Sequence, residues 1–207
     1  MAQFFQIHPE NPQSRLIKQA VEIVRGGGLI VYPTDSSYAF GCSLDEKSAM
    51  ERIIRIRRLD ERHNFTLACR DLSEIASYAK VENAHYRLLK SLTPGPYTFI
   101  LHATKQVPRR LWNEKRKTIG IRVPDHPIAL ALLGELGQPL MSSTLSLPGE
   151  EYPLTDPYEM RDLLDAQVDL IIDGGFCGME PTTVVDLEEE TPRVVRVGKG
   201  DASLFGG

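Results

Sequence analysis

Cysteine is scarce in this chain, which contains three cysteines and five histidines among 207 residues. Cys42, Cys69 and Cys177 stand too far apart for a CxxC metal or redox motif, and their odd number does not suit a disulfide framework. Reduced thiols are therefore the simplest interpretation. The histidines do not pair at the spacing of metal ligands either, so we predict no metal bound by the protein.

Long apolar runs are also missing. No run approaches the roughly 20 residues that a membrane-spanning helix needs, and no charged segment followed by an apolar segment opens the chain as in a signal peptide. We therefore expect a soluble, cytoplasmic protein that does not contact membranes. The formal net charge of -4 gives no general attraction to polyanions, so nucleic-acid binding requires a local basic patch.

The familiar catalytic motifs are absent as well. The chain has no GxxxxGK(S/T) phosphate loop, no GxGxxG dinucleotide fingerprint, no GxSxG nucleophile elbow and no HExxH zinc motif. No catalytic residue is therefore predicted, and any functional inference has to start from the binding groups that the sequence places together.

Helices and strands alternate with short connections along the whole chain. Apolar residues at helical spacing predict helices, and short apolar or β-branched runs between turn signals predict strands. The predicted helices cover residues 12–25, 45–59, 71–79, 83–92, 128–136 and 157–164, and the predicted strands cover 29–32, 65–69, 97–103, 118–124, 139–144, 168–175, 182–188 and 193–198. This alternation predicts an α/β (α+β) fold with a mixed sheet. Since no linker or repeat divides the chain, we expect one domain over residues 1–207.

Residues 26–42 combine a buried strand with a polar turn. The apolar residues 29–32 are followed by Pro33 and by a hydroxyl-rich turn over residues 34–38. A strand that carries hydroxyls and a carboxylate at its carboxyl end is a usual place for a ligand site in an open α/β sheet. An ordinary turn after a strand is the alternative interpretation.

Small hydroxyl residues and arginines recur near the predicted strands. They are found at positions 34–37, 118 with 122, 142–146, 182–183 and 196. Both residue types donate hydrogen bonds to anions, and arginine can do so with two parallel bonds. The pattern predicts an anion or nucleotide site, but it does not specify a reaction.

Two clusters of basic residues are candidates for contact with a polyanion. The first, at the end of the second predicted helix, contains Arg52, Arg55, Arg57 and Arg58. The second surrounds Trp112 and contains Lys105, Arg109, Arg110, Lys115, Arg116 and Lys117. A solvated helix end explains the first equally well, because cations are favoured there by the helix dipole. A solvated loop explains the second.

Six parts of the chain, in order, are similar to motifs of one known family. They are YPTDSSYAFGC (32–42, compared with YPTDTVYGLGC), TPGPYTFIL (93–101, PGPxTxIL), TIGIRVPDHP (118–127, VGVRxPxHP), SSTLSLPG (142–149, TSANxSG), DLIIDGG with PTTVVDL (169–175 and 181–187, DxIIDGG and STVVDL) and RVVRVGKG (193–200, LLRxG). By these motifs the chain resembles the Sua5/YrdC/YciO family, whose best-known members are threonylcarbamoyl-AMP synthases.

The resemblance implies a YrdC/RibB-like fold, in which helices flank a twisted mixed sheet with an electropositive concave face. In the synthases, ATP, L-threonine and bicarbonate give threonylcarbamoyl-AMP and pyrophosphate, the first step of a tRNA modification. The implied ligands are therefore ATP or AMP, L-threonine and bicarbonate, with ATP as a substrate accompanied by Mg²⁺ and no tightly bound cofactor. The implied macromolecular partner is tRNA or double-stranded RNA.

The resemblance also implies roles for ten residues of this chain. The amino-acid-binding positions correspond to Ser36, Arg122, Thr144 and Thr182. The nucleotide-binding positions correspond to Arg57, Arg58, His63, Thr118, Ser146 and Arg196.

The chain departs from the synthases around this implied site. Their Lys-x-Arg segment reads Arg57-Arg58-Leu59 here, so one arginine is replaced by a residue that donates no hydrogen bond. The other departures are Ser146 for asparagine, Ala39 for glycine and Ala68 for histidine. These changes resemble the YciO branch of the family.

A hydrogen bond to a charged group contributes roughly 1.5 to 3 kcal/mol, so losing one contact weakens anion binding by about tenfold to a hundredfold. Arg58 or Arg62 is a candidate to replace the lost arginine. We therefore expect a nucleotide- or adenylate-binding protein with weak or divergent threonylcarbamoyl-AMP chemistry. The alternative is a protein that binds tRNA or double-stranded RNA without efficient turnover.

Overall fold

A mixed sheet of ten strands runs through the part of the chain that the computed structural model describes, residues 1–60 and 63–206. The strands are β1 (Gln3–Gln6), β2 (Ile30–Pro33), β3 (Tyr38–Ser43), β4 (Thr66–Ala68), β5 (Tyr97–His102), β6 (Thr118–Arg122), β7 (Leu140–Thr144), β8 (Leu170–Asp173), β9 (Thr183–Asp186) and β10 (Arg193–Arg196). The described helices are α1 (Ser14–Arg25), α2 (Lys47–Arg57), α3 (Leu72–Tyr78), α4 (Asn83–Leu92), α5 (Pro127–Leu136) and α6 (Pro157–Leu164). None of them is both long and apolar enough to cross a membrane.

The strands lie in the order β1-β8-β2-β3-β7-β4-β6-β5-β9-β10. Parallel pairs join β8 to β1 and β2, β4 to β6, and β5 to β9, while the other neighbours are antiparallel. The predicted α/β class with a mixed sheet is therefore confirmed. The last two strands form the antiparallel hairpin that the acidic turn between them predicts.

Helices cover both faces of the sheet, but one face only in part. On that face α1 and α5 pack against each other and against β2 and β8 through apolar residues such as Val21, Leu132 and Ile172. The other face holds the larger core, which includes Ile53 of α2 and Leu164 of α6. Because α1 and α5 cover their face only near β2 and β8, the part of that face formed by β4, β6, β5 and β9 is left open.

Two strands, β1 and β3, do not follow from the sequence pattern. The sequence pattern predicts a polar turn over residues 34–38 and a helix from residue 45, but no strand over residues 38–43, because five of the six residues of β3 are buried and apolar and polar residues do not alternate along it. Gly41 stands inside it because a Cβ there would lie 2.8 Å from Cε1 of Tyr32 on β2. The polar turn at residues 34–37 is thus the loop of a tight β2–β3 hairpin.

The hydroxyl of Tyr38 ties this hairpin to the loop after β8. It donates to the Gly175 carbonyl at 2.6 Å and accepts the Gly174 N–H at 3.1 Å. Burial raises the pKa of Tyr38 above its ordinary value, so the hydroxyl keeps its proton. The side chain is fully buried.

Replacing Tyr38 with phenylalanine leaves the buried Gly174 N–H without a partner and leaves the carbonyl of the exposed Gly175 to water. We expect Tyr38→Phe to lower the free energy of unfolding by about 1 to 3 kcal/mol, the usual cost of an unsatisfied buried polar group. Urea denaturation followed by circular dichroism measures this loss. Tyr86→Phe is the matched control, because Tyr86 is 49% exposed and should change stability by less than about 0.5 kcal/mol. Equal stability of the two variants would contradict the role given to the Tyr38 hydroxyl.

Candidate functional site

The open half of the sheet forms the floor of a cleft with a volume of about 320 Å³, which we call the main cleft because the hydroxyl-rich strands meet there. Residues that line this floor recur at every second position, as expected for one face of a sheet. They include Thr66 and Ala68 of β4, Thr98 and Ile100 of β5, Thr118, Gly120 and Arg122 of β6, Ser142 and Thr144 of β7, and Thr182 and Val184 at β9. The hydroxyl-rich positions of separate strands therefore meet on one surface.

Arginines and hydroxyls give the cleft its chemical character. Four arginines line it, and no aspartate or glutamate does so among the described residues. Hydroxyl groups come from Tyr32, Thr34, Ser36, Ser37, Thr66, Thr98, Thr118, Ser142, Ser143, Thr144 and Thr182. A surface rich in hydrogen-bond donors and positive charge suits phosphate or carboxylate ligands.

Thr34 holds the β2–β3 turn in a fixed shape at one end of the cleft. Its hydroxyl oxygen accepts the backbone N–H groups of Ser36 and Ser37, both at 3.2 Å, and the hydroxyl donates to the Ser37 carbonyl at 2.6 Å. A threonine side chain commonly stabilises a turn in this way. Ser36, which lines the cleft, is therefore anchored through its own backbone.

The guanidinium of Arg122 lies almost fully buried beside this turn. Its Nη1 donates to the Ser36 hydroxyl at 3.1 Å, and its Nη2 donates to the Gly95 carbonyl at 3.3 Å and forms an ion pair with Asp35. Within the described residues, Nε of Arg122 and Oδ2 of Asp35 are buried without a hydrogen-bond partner. The ion pair therefore retains one unused donor and one unused acceptor.

Arg196 and Thr182 form the opposite end of the cleft. Arg196 donates from Nε and Nη2 to the Thr182 carbonyl at 3.2 and 2.9 Å, and from Nη2 to the Thr182 hydroxyl at 3.2 Å. The Thr182 hydroxyl lies 2.8 Å from the Thr98 hydroxyl. Since the described residues offer Arg196 only neutral acceptors, its positive charge is available to a ligand.

The end of α2 forms a side wall of the cleft. The helix ends with Arg58 in the left-handed conformation, at φ 51°. Arg57, one residue earlier, lines the cleft and donates to the Ser143 hydroxyl at 2.5 Å and to the Ser146 carbonyl at 3.2 Å. Its positive charge is also met only by neutral acceptors among the described residues.

His63 follows on the same wall. Burial, and then the positive charge of Arg57, lower the pKa of His63 below its ordinary value. Its imidazole therefore remains neutral near pH 7 and meets the Phe65 ring edge-on, with 5.2 Å between the ring centroids. This wall thus combines one cation with an aromatic pair.

The cleft brings together eight of the ten residues that the resemblance implies. These are Ser36, Arg57, His63, Thr118, Arg122, Thr144, Thr182 and Arg196. The structure does not place the other two in its lining. Arg58 is exposed at the end of α2, and Ser146 contributes its carbonyl to Arg57 rather than a side chain to the cleft. Arg62 lies outside the described residues.

Two residues at the site are not among the ten that the resemblance implies. Asp35 pairs with Arg122, and Arg116 lines the cleft while pairing with Asp186 and Glu188. Asp35 stands inside the hydroxyl-rich turn, which was the available signal for it. The sequence places Arg116 only in the basic cluster around Trp112, because its carboxylate partners lie about 70 residues later in the chain.

Comparison with known proteins places this arrangement in a family. Residues 22–198 match the model of the Sua5/YciO/YrdC family, described as "Telomere recombination". YciO of Escherichia coli (strain K12) is 63% identical over 205 residues, which cover 99% of this chain and 100% of that protein. The crystal structure of E. coli YciO matches with a TM-score of 0.95 and the same coverage of both chains.

More distant relatives extend the match. A threonylcarbamoyl-AMP synthase of Nitrosococcus oceani is 32% identical over 159 residues, which cover 76% of this chain and 85% of that protein. The crystal structure of P. abyssi Sua5 complexed with L-threonine matches with a TM-score of 0.85 and 26% identity, over 94% of this chain and 57% of that one. The resemblance inferred from six sequence segments is confirmed: this chain belongs to the Sua5/YciO/YrdC family.

Proposed function

We propose that the cleft binds an α-amino acid and an adenine nucleotide together, and that the protein acts in threonylcarbamoyl-AMP chemistry. The observation that carries this proposal is the meeting of Ser36, Arg122, Thr182 and Arg196 in one cleft that no described carboxylate lines. In the full reaction, L-threonine, bicarbonate and ATP give threonylcarbamoyl-AMP, pyrophosphate and water. The wall at the end of α2 has Leu59 where the family motif has an arginine. We therefore expect the protein either to make threonylcarbamoyl-AMP slowly or to consume it in the reverse reaction.

The amino-acid end of the cleft is assigned to Arg122. Its guanidinium is held by Ser36 and Gly95, so it is oriented before a ligand carboxylate arrives. Such preorganisation reduces the entropy lost on binding. P. abyssi Sua5, whose structure was solved with L-threonine, supports threonine as the first ligand to test.

The nucleotide end is assigned to Arg196 and Thr118, with Arg57 and His63 on the side wall. Arg57 and Arg196 are both free of carboxylate partners in the described chain, so a phosphate would be the first anion to neutralise them. Catalysis would then depend on positioning the reactants and stabilising the charge that develops on the phosphate. No side-chain nucleophile is required.

The direct test is turnover. Purified protein is incubated with ATP, L-threonine and bicarbonate, and separately with threonylcarbamoyl-AMP and pyrophosphate, while the adenylate is followed by chromatography. Formation or consumption above the rate of the Arg122→Lys variant supports the proposal. If the unmodified protein and Arg122→Lys show the same rate in the forward direction and the same rate in the reverse direction, the proposal is wrong, even if the protein binds one of the ligands.

Arg122→Lys tests the amino-acid end. Lysine keeps the positive charge next to Asp35, which limits the destabilisation expected from a buried unpaired carboxylate, but it lacks the planar group that donates parallel hydrogen bonds. We expect the affinity for L-threonine, measured by calorimetry, to fall by about tenfold or more. Arg87→Lys is the control, because Arg87 is an exposed arginine of α4 and should leave affinity unchanged.

Arg57 and Arg58 give a matched pair for the nucleotide end. Arg57→Ala removes a cation that lines the cleft, so we expect AMP affinity to fall by about tenfold to a hundredfold. Arg58→Ala removes the neighbouring cation outside the cleft and should change affinity less than about threefold, as expected for a screened surface charge. Fluorescence or calorimetric titration with AMP compares them. A larger loss in Arg58→Ala would mean that Arg58 replaces the arginine missing at Leu59.

A second candidate function is RNA binding, and a separate surface hollow favours it. Lys80, Lys105, Arg109, Arg116, Lys117 and Trp112 line this hollow, which we call the basic hollow. Arg116 lines both the basic hollow and the main cleft, so the two surfaces adjoin. Lysines and arginines around a half-buried aromatic ring suit a nucleic-acid backbone and an unpaired base.

Salt dependence tests this candidate. Each phosphate contact contributes about -0.7 to -0.9 to the slope of the logarithm of affinity against the logarithm of salt concentration. We therefore expect tRNA binding with a slope of roughly -3 that becomes shallower by about 1.5 in a Lys105→Gln/Lys117→Gln variant. Lys18→Gln/Lys47→Gln, which changes exposed lysines of α1 and α2, is the control. Absence of binding at low salt would exclude this function.

A further inference from the structure

Arg116 is an arginine of the main cleft to which the proposed function gives no role. It stands in the loop before β6, two residues before Thr118, and both residues line the cleft. The other arginines of the described lining are assigned, Arg122 to the amino-acid end and Arg57 and Arg196 to the phosphate of a nucleotide. Arg116 therefore adds a cation to the cleft beyond those that an amino acid and one phosphate require.

The loop that carries Arg116 has a fixed shape. The side-chain oxygen of Asn113 accepts the N–H groups of Lys115 and Arg116 at 3.2 and 3.0 Å, and the Asn113 carbonyl accepts the Lys117 N–H at 2.7 Å. Lys117 adopts the left-handed conformation at φ 53°, which is uncommon for a residue other than glycine. Backbone of this kind persists only where the surrounding structure holds it, and it is concentrated at ligand sites. The loop thus presents Arg116 to the cleft before a ligand binds.

Carboxylates at the end of β9 hold the guanidinium of Arg116. Its Nη2 forms ion pairs with Asp186 and with Glu188, whose backbone N–H donates to Oδ1 of Asp186 at 3.0 Å. Both ion pairs use the same nitrogen, and no described residue accepts a hydrogen bond from Nε or Nη1. The Arg116 side chain is 40% exposed. Two of its nitrogens are therefore available to an anion that enters the cleft.

The two carboxylates are not equivalent. Asp186 is nearly fully buried and also pairs with Arg193 at 3.0 Å, so it keeps a cation when Arg116 turns toward a ligand. Glu188 has no second cation among the described residues, and it is only half-buried, so water can solvate its carboxylate. An anion bound to Arg116 would meet the negative charge of Glu188 at short range, which disfavours binding. Glu188 and a ligand anion therefore compete for one guanidinium.

The end of α2 supplies only one cation to the cleft. Arg57 lines the cleft, whereas Arg58 is exposed outside the lining and Leu59 packs against the core. ATP and pyrophosphate carry more negative charge than AMP, and each further phosphate group that leaves water has to be met by hydrogen-bond donors or a cation. Arg116 is the remaining described arginine of the cleft that can meet it.

We propose that Arg116 binds the terminal phosphates of a polyphosphate, either ATP or pyrophosphate, and that Glu188 competes with this ligand for Arg116. The inference rests on the proposed function, because it takes nucleotide phosphates to bind in the main cleft. It goes beyond that function by assigning the residue that distinguishes a polyphosphate from AMP and the carboxylate of the protein that weakens polyphosphate binding.

Arg116→Gln tests the residue against a control that shares its partner. We expect affinity for ATP and for pyrophosphate, measured by calorimetry, to fall about tenfold to a hundredfold, because one charge-assisted contact is lost. Affinity for AMP should change less than about threefold. Arg193→Gln is the matched control, because Arg193 also pairs with Asp186 but does not line the cleft. Each variant leaves Asp186 one arginine, so a loss caused only by the disturbed carboxylate would appear in both.

Glu188→Gln tests the competition while Arg116 stays in place. The substitution leaves Arg116 paired with Asp186 alone, so we expect affinity for pyrophosphate to rise about two- to fivefold. Glu189→Gln is the control, because Glu189 is the exposed neighbour and its replacement changes the net charge by the same amount. An equal rise in the two variants would mean that Glu188 acts only through the net charge and does not compete for Arg116.

The outcomes separate this inference from the proposed function. If the unmodified protein binds AMP and ATP and Arg116→Gln lowers the ratio of ATP to AMP affinity no more than Arg193→Gln, the inference fails and the function stands. If the unmodified protein binds neither an adenine nucleotide nor pyrophosphate, the nucleotide part of the proposed function fails and the inference falls with it. If Arg116→Gln does not fold, judged by circular dichroism, the comparison of Glu188→Gln with Glu189→Gln decides alone.

Discussion

The buried guanidinium of Arg122 joins three parts of the chain at one end of the cleft. It stands on β6, near the middle of the sheet, and reaches the β2–β3 turn through Asp35 and Ser36 and the loop before β5 through Gly95. None of these segments is adjacent in sequence. A buried positive charge has to be neutralised and hydrogen-bonded, so Arg122 constrains the positions of the turn and the loop, and through them the shape of the cleft.

The cleft exists because helices cover one face of the sheet only in part. α1 and α5 bury the half of this face that contains β2 and β8, where the side chains are apolar. Over β4, β5, β6 and β9 the same face carries threonines, an arginine and a glycine together with three apolar residues, Ala68, Ile100 and Val184. Those strands bury their other side chains, such as Leu67 and Phe99, in the core on the opposite face. One sheet can therefore serve as a core wall on one side and a binding surface on the other.

The two ends of the cleft and its side wall differ in how closely they follow the family. The β2–β3 turn, Arg122 and Thr182 retain the hydroxyls and charge of the family motifs, whereas the α2 wall has Arg57 and Leu59 in place of the Lys-x-Arg segment. Leu59 packs against the apolar core, so this position contributes hydrophobic packing and no cation to the wall. This difference falls in the part of the cleft that is proposed to bind phosphate.

The sequence alone determined the fold class, the family and most of the residues that meet in the cleft, because these depend on local patterns and on the order of six motifs. Tertiary structure decided the rest. β3 escaped prediction because a strand buried on both faces shows no alternation, and the pairing of Arg116 with Asp186 and Glu188 depends on strands distant in sequence. The end of α2 decided that Arg57 and not Arg58 lines the cleft. Only the packed structure brought Asp35 to Arg122 and left both with an unused hydrogen-bonding atom, because burial and partner geometry arise when separate strands come together.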